Sequence, residues 1–374
     1  MKPIIAHITH SYLPISATFI YSYITNIKKY ESIIIAREIQ NLDLFPIQNL
    51  YCAPRFARYS LQWIHDKIFQ KVLKRELFHE YIMKKEKAKL IHAHFGPQGV
   101  QMIKAKRKLG LPLVTTFYGY DMSRLTRKWR WRLAYKRLFK EGDIFLVEGN
   151  HMKENLIRLG CPPQKINVHH IGVDVSKFIK RNLSMEDNKI IILFCGRLTE
   201  KKGLIYGLRA IKTLANISPN LEFRIIGDGE LRPEIENYIK EENIGDKVIL
   251  LGYQPYHIFE KEVQKAHILL QPSITAQNGD SEGGAPVVLL EAQASGLVVV
   301  STYHADIPEV VLDGKSGFLV KERDSKSIAK KIEYLIENPE LRIEMGRIGR
   351  KHVEKNYNIY DQIRKLESIY NQLI

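Results

Sequence analysis

Apolar residues in the first half of the chain fall into short β-branched runs, separated by stretches in which apolar positions return every three to four residues. The runs predict strands at Ile4–Thr9, Ser32–Ala36, Leu90–His94, Pro112–Phe117 and Ile144–Val147. The stretches between them predict helices at Thr18–Lys28, Ser60–Lys87, Gln98–Leu109, Lys128–Lys140 and His151–Leu159. A polar stretch, Lys180 to Lys189, reads as a linker. The alternation then restarts, with strands at Ile190–Cys195, Leu221–Ile226, Val248–Leu251, Ile268–Gln271, Val298–Ser301 and Phe318–Val320. Helices are expected between them at Leu204–Asn216, Leu231–Glu241, Pro286–Ser295 and Ser325–Glu337. The final stretch, Pro339 to Ile374, is helical with no strand after it. Strands alternating with helices indicate a parallel sheet covered on both faces. The expected fold class is therefore α/β, with two doubly wound Rossmann-like domains facing a central cleft. Residues 1–180 form the first, residues 181–356 the second, and 357–374 a helix able to cross back to the first. In such sheets ligands bind at the carboxyl ends of the strands.

Composition narrows this picture little, but charge changes it. The chain of 374 residues is 45% hydrophobic and 26% charged, which excludes wholesale disorder and a disulfide-stapled mini-domain. Its three cysteines, Cys52, Cys161 and Cys195, have no metal-ligand spacing, and so sparse a set suits a reducing, cytoplasmic compartment. The N-terminal apolar run is broken by His7 and His10 and is too short for a signal peptide, and no run of about 20 apolar residues predicts a membrane span. The net charge of +16 is uneven: residues 1–180 carry +18 and the remainder −2. The first half alone is thus suited to an anionic partner, whether nucleic acid, a membrane surface or a phosphate-bearing substrate. Between Arg124 and Lys140 stand eight Lys and Arg, no acid, and the interleaved Trp129 and Trp131. That combination suits an anionic membrane surface with Arg124, Arg127, Lys128, Arg130 and Arg132 as its contacts. RNA or a solvated helix face would also accommodate it.

Chemistry concentrates at the predicted strand ends. The segment Ser281-Glu282-Gly283-Gly284-Ala285-Pro286-Val287 leads into a helix containing Glu291. Gly283 and Gly284 permit close backbone approach, and Pro286 is expected at the first helical position. The helix N-terminus that follows suits a phosphate. In Gly196-Arg197-Leu198-Thr199-Glu200-Lys201-Lys202-Gly203, Arg197 and Lys202 are placed to neutralise a leaving diphosphate. Gly227-Asp228-Gly229 is a strand-to-helix glycine turn but not a full dinucleotide fingerprint. In the first half, Ile91-His92-Ala93-His94-Phe95-Gly96 and Thr115-Thr116-Phe117-Tyr118-Gly119-Tyr120-Asp121 each close a strand. His92 and His94 share a strand face, but no further ligands at metal spacing accompany them.

Together these segments resemble the family 4 glycosyltransferases, which have the GT-B fold. The resemblance covers most of the chain and is strongest from Cys195 to Val320. The family's two glutamates, normally with seven residues between them, correspond to Glu282 and Glu291, with eight between them; the doubled Gly283-Gly284 absorbs the extra residue. The runs Gly196-Arg197-Leu198…Lys202-Gly203, Gly227-Asp228-Gly229 and His304-Ala305-Asp306-Ile307-Pro308-Glu309 also match. In the first domain, Tyr12-Leu13-Pro14-Ile15-Ser16-Ala17-Thr18 and the His92–Gly96 segment are similar to bacterial exopolysaccharide and lipopolysaccharide members. Tyr118 stands where many relatives carry His.

The resemblance implies transfer of a hexose-type sugar from a nucleotide-sugar, with retention, to a glycan acceptor that is lipid-linked, at the cytoplasmic face of the membrane. It also implies that no metal or other cofactor is required, in keeping with the absence of any Asp-x-Asp. Glu282, Arg197, Lys202 and Tyr118 become the expected catalytic residues. Gly196, Gly227, Asp228, Gly283, Gly284, Ala285, Pro286 and Glu291 are expected to bind the donor, and Ser16, Thr18, His94 and Asp121 to face the acceptor. Two other readings remain at this point. A sugar-nucleotide epimerase would keep the fold and change the chemistry. A nucleic-acid-binding protein would use the basic half but lacks a helix-turn-helix, zinc-finger or RNP pattern.

Overall fold

The computed structural model describes residues 2–14, 17–54, 60–62, 68, 76–178 and 189–374. Two compact units emerge: residues 1–171 together with 359–374, and residues 172–358. The expected linker lies almost wholly outside the described residues.

The first unit is built on a seven-stranded sheet. Its strands are β1 (Ile4–Ile8), β3 (Glu31–Ala36), β5 (Leu50–Cys52), β6 (Leu90–His94), β7 (Leu113–Thr116), β8 (Ile144–Val147) and β9 (Ile166–Val168). They run in the order β5-β3-β1-β6-β7-β8-β9, every neighbour parallel, and a two-stranded ribbon pairs β2 (Ser11–Tyr12) with β4 (Glu38–Ile39). In the second unit β10 (Ile190–Cys195), β11 (Leu221–Ile226), β12 (Val248–Gly252), β13 (Ile268–Gln271), β14 (Val298–Thr302) and β15 (Gly317–Val320) form a parallel sheet in the order β12-β11-β10-β13-β14-β15. Both sheets reverse their winding once, at β1/β6 and at β10/β13, which is where doubly wound sheets bind ligands.

Side-chain alternation along the strands builds a core on each face of the second sheet. Ile192, Phe194, Ile268, Leu270, Val298 and Val300 join one cluster. Leu193, Leu269 and Val299, the residues between them, join the other. The helix Leu204–Ala215 covers the first face with Leu204, Leu208, Ile211 and Leu214, one apolar stripe at helical spacing. The first sheet differs. Ala6, Ile8, Ile91 and Ala93 pack into an apolar core on one face. The positions between them on the opposite face hold His7 and His92, with His94 one step further along, and all three are buried.

Two sequence expectations are corrected. Ser60–Lys87 is not one helix: its early part falls largely outside the described residues, and the described helix is Leu77–Lys85. Glu76 has non-helical dihedrals and is buried against Arg37, which stops any continuation. Pro286 is not the first helical residue. Its ψ of 131° places it just outside, and the helix runs Val287–Ala294.

The last stretch forms two helices, Pro339–Asn356 and Ile359–Asn371. The second belongs to the first unit. There Glu367 Oε1 accepts the backbone N–H groups of Lys28 and Lys29, 2.7 Å each, just past the helix Thr18–Asn26. His169 Nε2 bonds the Gln362 carbonyl at 2.9 Å.

Candidate active site

In the second unit, the carboxyl ends of β10 and β13 converge on one constellation. Gly203 has φ +65, and a Cβ there would lie 1.9 Å from the Pro272 carbonyl oxygen. Only glycine lets the 200–203 turn lie this close to the end of β13. Lys202 is thereby brought to Glu282, with Nζ–Oε1 at 2.9 Å. Ser273 donates its hydroxyl to the same oxygen at 2.8 Å. Lys201, also buried, donates to the Ser281 carbonyl at 3.0 Å and lies 3.4 Å from Asp280. Gly227 (φ +136) plays the matching part at β11: a Cβ there would meet the Gly196 carbonyl oxygen at 1.9 Å. Gly227 and Gly196 thus hold two strand ends together.

The two glutamates experience opposite electrostatics. Burial alone would raise the Glu282 carboxyl, but the Lys202 and Lys201 ammoniums and the hydrogen bonds from Lys202 and Ser273 outweigh it and hold Glu282 below the usual range. Glu291 is pushed up to about 7 by burial, against a lowering hydrogen bond from Tyr256 and a raising contribution from Glu260. Its carboxylate accepts the Tyr256 hydroxyl at 3.1 Å. Two carboxyls with pKa values driven apart are suited to two different tasks. Gly283 (φ +80), Gly284, Ala285 and Pro286 form the approach to the helix Val287–Ala294. Leu289 N–H bonds the Pro286 carbonyl at 3.0 Å, and the N–H groups ahead of it at the helix N-terminus are suited to a diphosphate. Arg197 is exposed and makes no ion pair among the described residues. Asp228 is exposed too; it accepts the Gly229 N–H and pairs with Arg232 at 2.9 Å.

In the first unit the histidine face lies at the β1/β6 reversal. His94 Nδ1 bonds the Tyr118 hydroxyl at 2.7 Å, and His94 Nε2 lies 3.1 Å from His7 Nδ1. His92 bonds Thr116 Oγ1 at 2.7 Å and the Tyr370 hydroxyl, from the C-terminal helix, at 2.5 Å. Burial keeps all three imidazoles neutral, His7 at about 3, and holds Tyr118 well above its ordinary value. Their ligand atoms lie within 4.8 Å of one another, close enough for a metal. Five of the six ring nitrogens are already hydrogen-bonded, however, and the His92 and His94 rings stack at 4.5 Å and 24°. The bonds form two runs on this face, His7–His94–Tyr118 and Tyr370–His92–Thr116.

Of the acceptor-side candidates, Thr18 opens its helix next to Phe19, whose ring lies 5.0 Å from that of Tyr118. Ser16 lies outside the described residues. Asp121 is wholly buried and accepts N–H groups from Gly96, Tyr118 and Gly119 at 2.8, 3.1 and 3.0 Å. It shapes the turn bearing Tyr118 and presents no face outward. Sequence reasoning missed Ser273, Tyr256 as the partner of Glu291, and His7 as a member of the histidine face. Only His7 carried a signal, as the one polar residue in an otherwise apolar β1.

The basic segment forms the helix Trp129–Glu141, which buries Tyr135, Leu138 and Phe139. Trp129 and Leu133 are exposed, together with Arg124, Arg127, Lys128, Arg130 and Arg132. Among the described residues no helix is long and apolar enough to cross a membrane.

Comparison with known proteins places these features in context. Residues 28–177 match the family model Glycosyltransferase Family 4, and residues 175–352 match Glycosyl transferases group 1. The chain is 37% identical over 243 residues to the putative colanic acid biosynthesis glycosyltransferase WcaL of Salmonella typhimurium, covering 64% of this chain and 59% of that relative. It is 34% identical over 292 residues to WcaL of Escherichia coli, covering 77% of this chain and 71% of that relative. In fold it is similar to Anabaena HepE, solved in complex with UDP-glucose, with a TM-score of 0.79 at 16% identity over 99% of this chain and all of the other.

Proposed function

The chain belongs to the family 4 glycosyltransferases, and from that we propose that it moves a hexose-type sugar, with retention, from a nucleotide-sugar to a lipid-linked glycan in cell-surface polysaccharide synthesis. The observation that carries this reading is the Lys202–Glu282–Ser273 constellation at the β10/β13 reversal. The relatives named for colanic acid biosynthesis support the polysaccharide setting.

The chemical problem is charge. The anomeric C–O bond breaks with its electron pair leaving on the diphosphate, while the ring carbon gains positive character. Lys202, Arg197 and the N–H groups at the N-terminus of the helix Val287–Ala294 stabilise the departing diphosphate. Glu282 binds donor-sugar hydroxyls and Glu291 the ribose hydroxyls. Gly196 and Gly227, held against each other, keep the phosphate-side backbone open. The acceptor hydroxyl forms the new bond, and its proton ends on the departing diphosphate. No step in this account needs a metal. The exposed basic residues around Trp129 keep the enzyme at an anionic inner membrane face, where lipid-linked acceptors reside.

A thermal-shift screen with UDP, GDP, ADP and CMP, each with and without magnesium, tests this function. Stabilisation by one nucleoside diphosphate irrespective of magnesium is the expected result, about 2.7 kcal/mol at a hundredfold excess over Kd. Stabilisation by none of them would overturn it.

A further inference from the structure

Glu282 is held from two sides, and only its carboxylate partners have an assigned purpose. Beyond β14 the chain turns sharply through Ala305 (φ +48) and buries His304, which is 3% exposed. The backbone N–H of Glu282 donates to His304 Nε2 at 3.2 Å. His304 Nδ1 lies 2.7 Å from Glu322 Oε1. A backbone N–H can only donate, so Nε2 carries the lone pair and Nδ1 carries the proton, aimed at the carboxylate. The tautomer is therefore set by its two neighbours.

Glu322 is itself fixed. Its Oε2 accepts the Thr275 N–H at 2.9 Å and lies 3.1 Å from Arg323 Nη1. Arg323 also donates to the Thr275 carbonyl. A continuous chain of hydrogen bonds thus runs from the end of β15 through Glu322 and His304 to the main chain of Glu282. The Glu282 side chain is anchored independently, by Lys202 and Ser273. Loop residues placed by one anchor can pivot about it; two anchors on opposite ends of one residue remove that freedom. Fixing main chain and side chain separately is what a carboxylate needs in order to meet sugar hydroxyls at one geometry, since about 1 Å of misplacement costs around a hundredfold in rate.

We propose that His304 is a positioning residue for the sugar half of the donor, acting through the Glu282 main chain, with Glu322 selecting its tautomer. This rests on the reading of Glu282 as the partner of the donor sugar. It assigns His304 no part in holding the diphosphate, which belongs to Lys202, Arg197 and the helix N-terminus.

The test is calorimetric titration of the full chain with matched pairs: UDP and UDP-glucose, GDP and GDP-mannose, ADP and ADP-glucose. In the pair that binds, His304→Ala is expected to weaken the sugar nucleotide about tenfold while the nucleoside diphosphate stays within twofold. His304→Gln restores most of the loss, because its amide oxygen accepts the Glu282 N–H while its amide N–H donates to Glu322. Equal affinities for wild type and His304→Ala would overturn the proposal. So would parallel loss of both ligands, or a lowered Tm with no recovery in His304→Gln, since each marks a purely structural role. Glu282→Gln separates the two levels: if it weakens the sugar nucleotide selectively and His304→Ala does not, only this proposal fails. If Glu282→Gln has no selective effect, or if wild type binds no pair, the underlying reading of the site fails, and this proposal with it.

Discussion

Lys202 Nζ lies 2.9 Å from Glu282 Oε1, although the two residues stand 80 positions apart. Both side chains are largely buried, at 13% and 7% exposure, so each charge depends on the other. Lys202→Ala strands the carboxylate with Lys201 and Ser273 and, in the mechanism proposed, removes a preorganised cation from the leaving diphosphate. A fall in kcat/KM of about a hundred- to a thousandfold is expected, roughly 3 kcal/mol of transition-state stabilisation. Steady-state donor turnover measures it; wild-type turnover in the purified variant would take Lys202 out of the mechanism.

The Glu291 carboxyl gives a pH signature. Unfolded, it titrates near 4.3; folded, it is pushed up to about 7 by burial. Between those values the native state holds a proton that the unfolded chain has shed. Stability is therefore lost as pH rises across that window, by roughly 3 to 4 kcal/mol from this one group. Glu291→Gln removes that slope, which the difference in Tm between variant and wild type at pH 5 and pH 7.5 reads directly. In its proposed role the ionised carboxylate accepts from both ribose hydroxyls, so affinity for the cognate nucleoside diphosphate is expected to rise through pH 7 in wild type and stay flat in Glu291→Gln.

Legibility from sequence followed periodicity. The parallel strands, buried on both faces, announced themselves as apolar runs, and Leu90–His94, Ile144–Val147 and Ile268–Gln271 match residue for residue. The helix Tyr256–Lys265 escaped because one of its three buried positions is Glu262, neutralised by Arg224 from a distant strand. A charge in the core breaks the apolar period, and its partner is not local. The same limit applied at the site. Glu282, Lys202 and Glu291 were visible as residue types beside glycines, but their pairing with one another, with Ser273 or with Tyr256 is a matter of sheet order. His7 became intelligible only through its register with His92.

Asp121 is expected to matter for stability. Its carboxylate is the acceptor for three N–H groups, those of Gly96 and Gly119 buried and that of Tyr118 partly so. Asp121→Ala orphans them, at about 1 to 3 kcal/mol each when buried. A loss of about 3 kcal/mol or more is expected from the urea midpoint, and a midpoint within experimental error of wild type would contradict this account of the Gly96–Tyr118 turn.

The basic helix makes a separate prediction. Co-sedimentation with vesicles containing anionic lipid should show binding that falls with salt. Lys128→Gln with Arg130→Gln removes two exposed cations near the surface, about 1 kcal/mol each, for a roughly 30-fold weaker partition. Binding insensitive to both salt and these substitutions would remove the membrane role.

The C-terminal helix Ile359–Asn371, counted with the first unit by its contacts, sets an order of events during synthesis. Tyr370 completes the bond to His92, and Glu367 receives the amides after the helix Thr18–Asn26. The amino-terminal sheet therefore leaves the ribosome lacking one of its own layers, its histidine face uncovered. It waits while residues 172–358 are made, roughly ten to forty seconds at ordinary elongation rates. The second unit, contiguous in sequence, has all its parts before the first does. The protein thus matures from the inside of its sequence outward, and the first unit closes only once Ile359–Asn371 has been made.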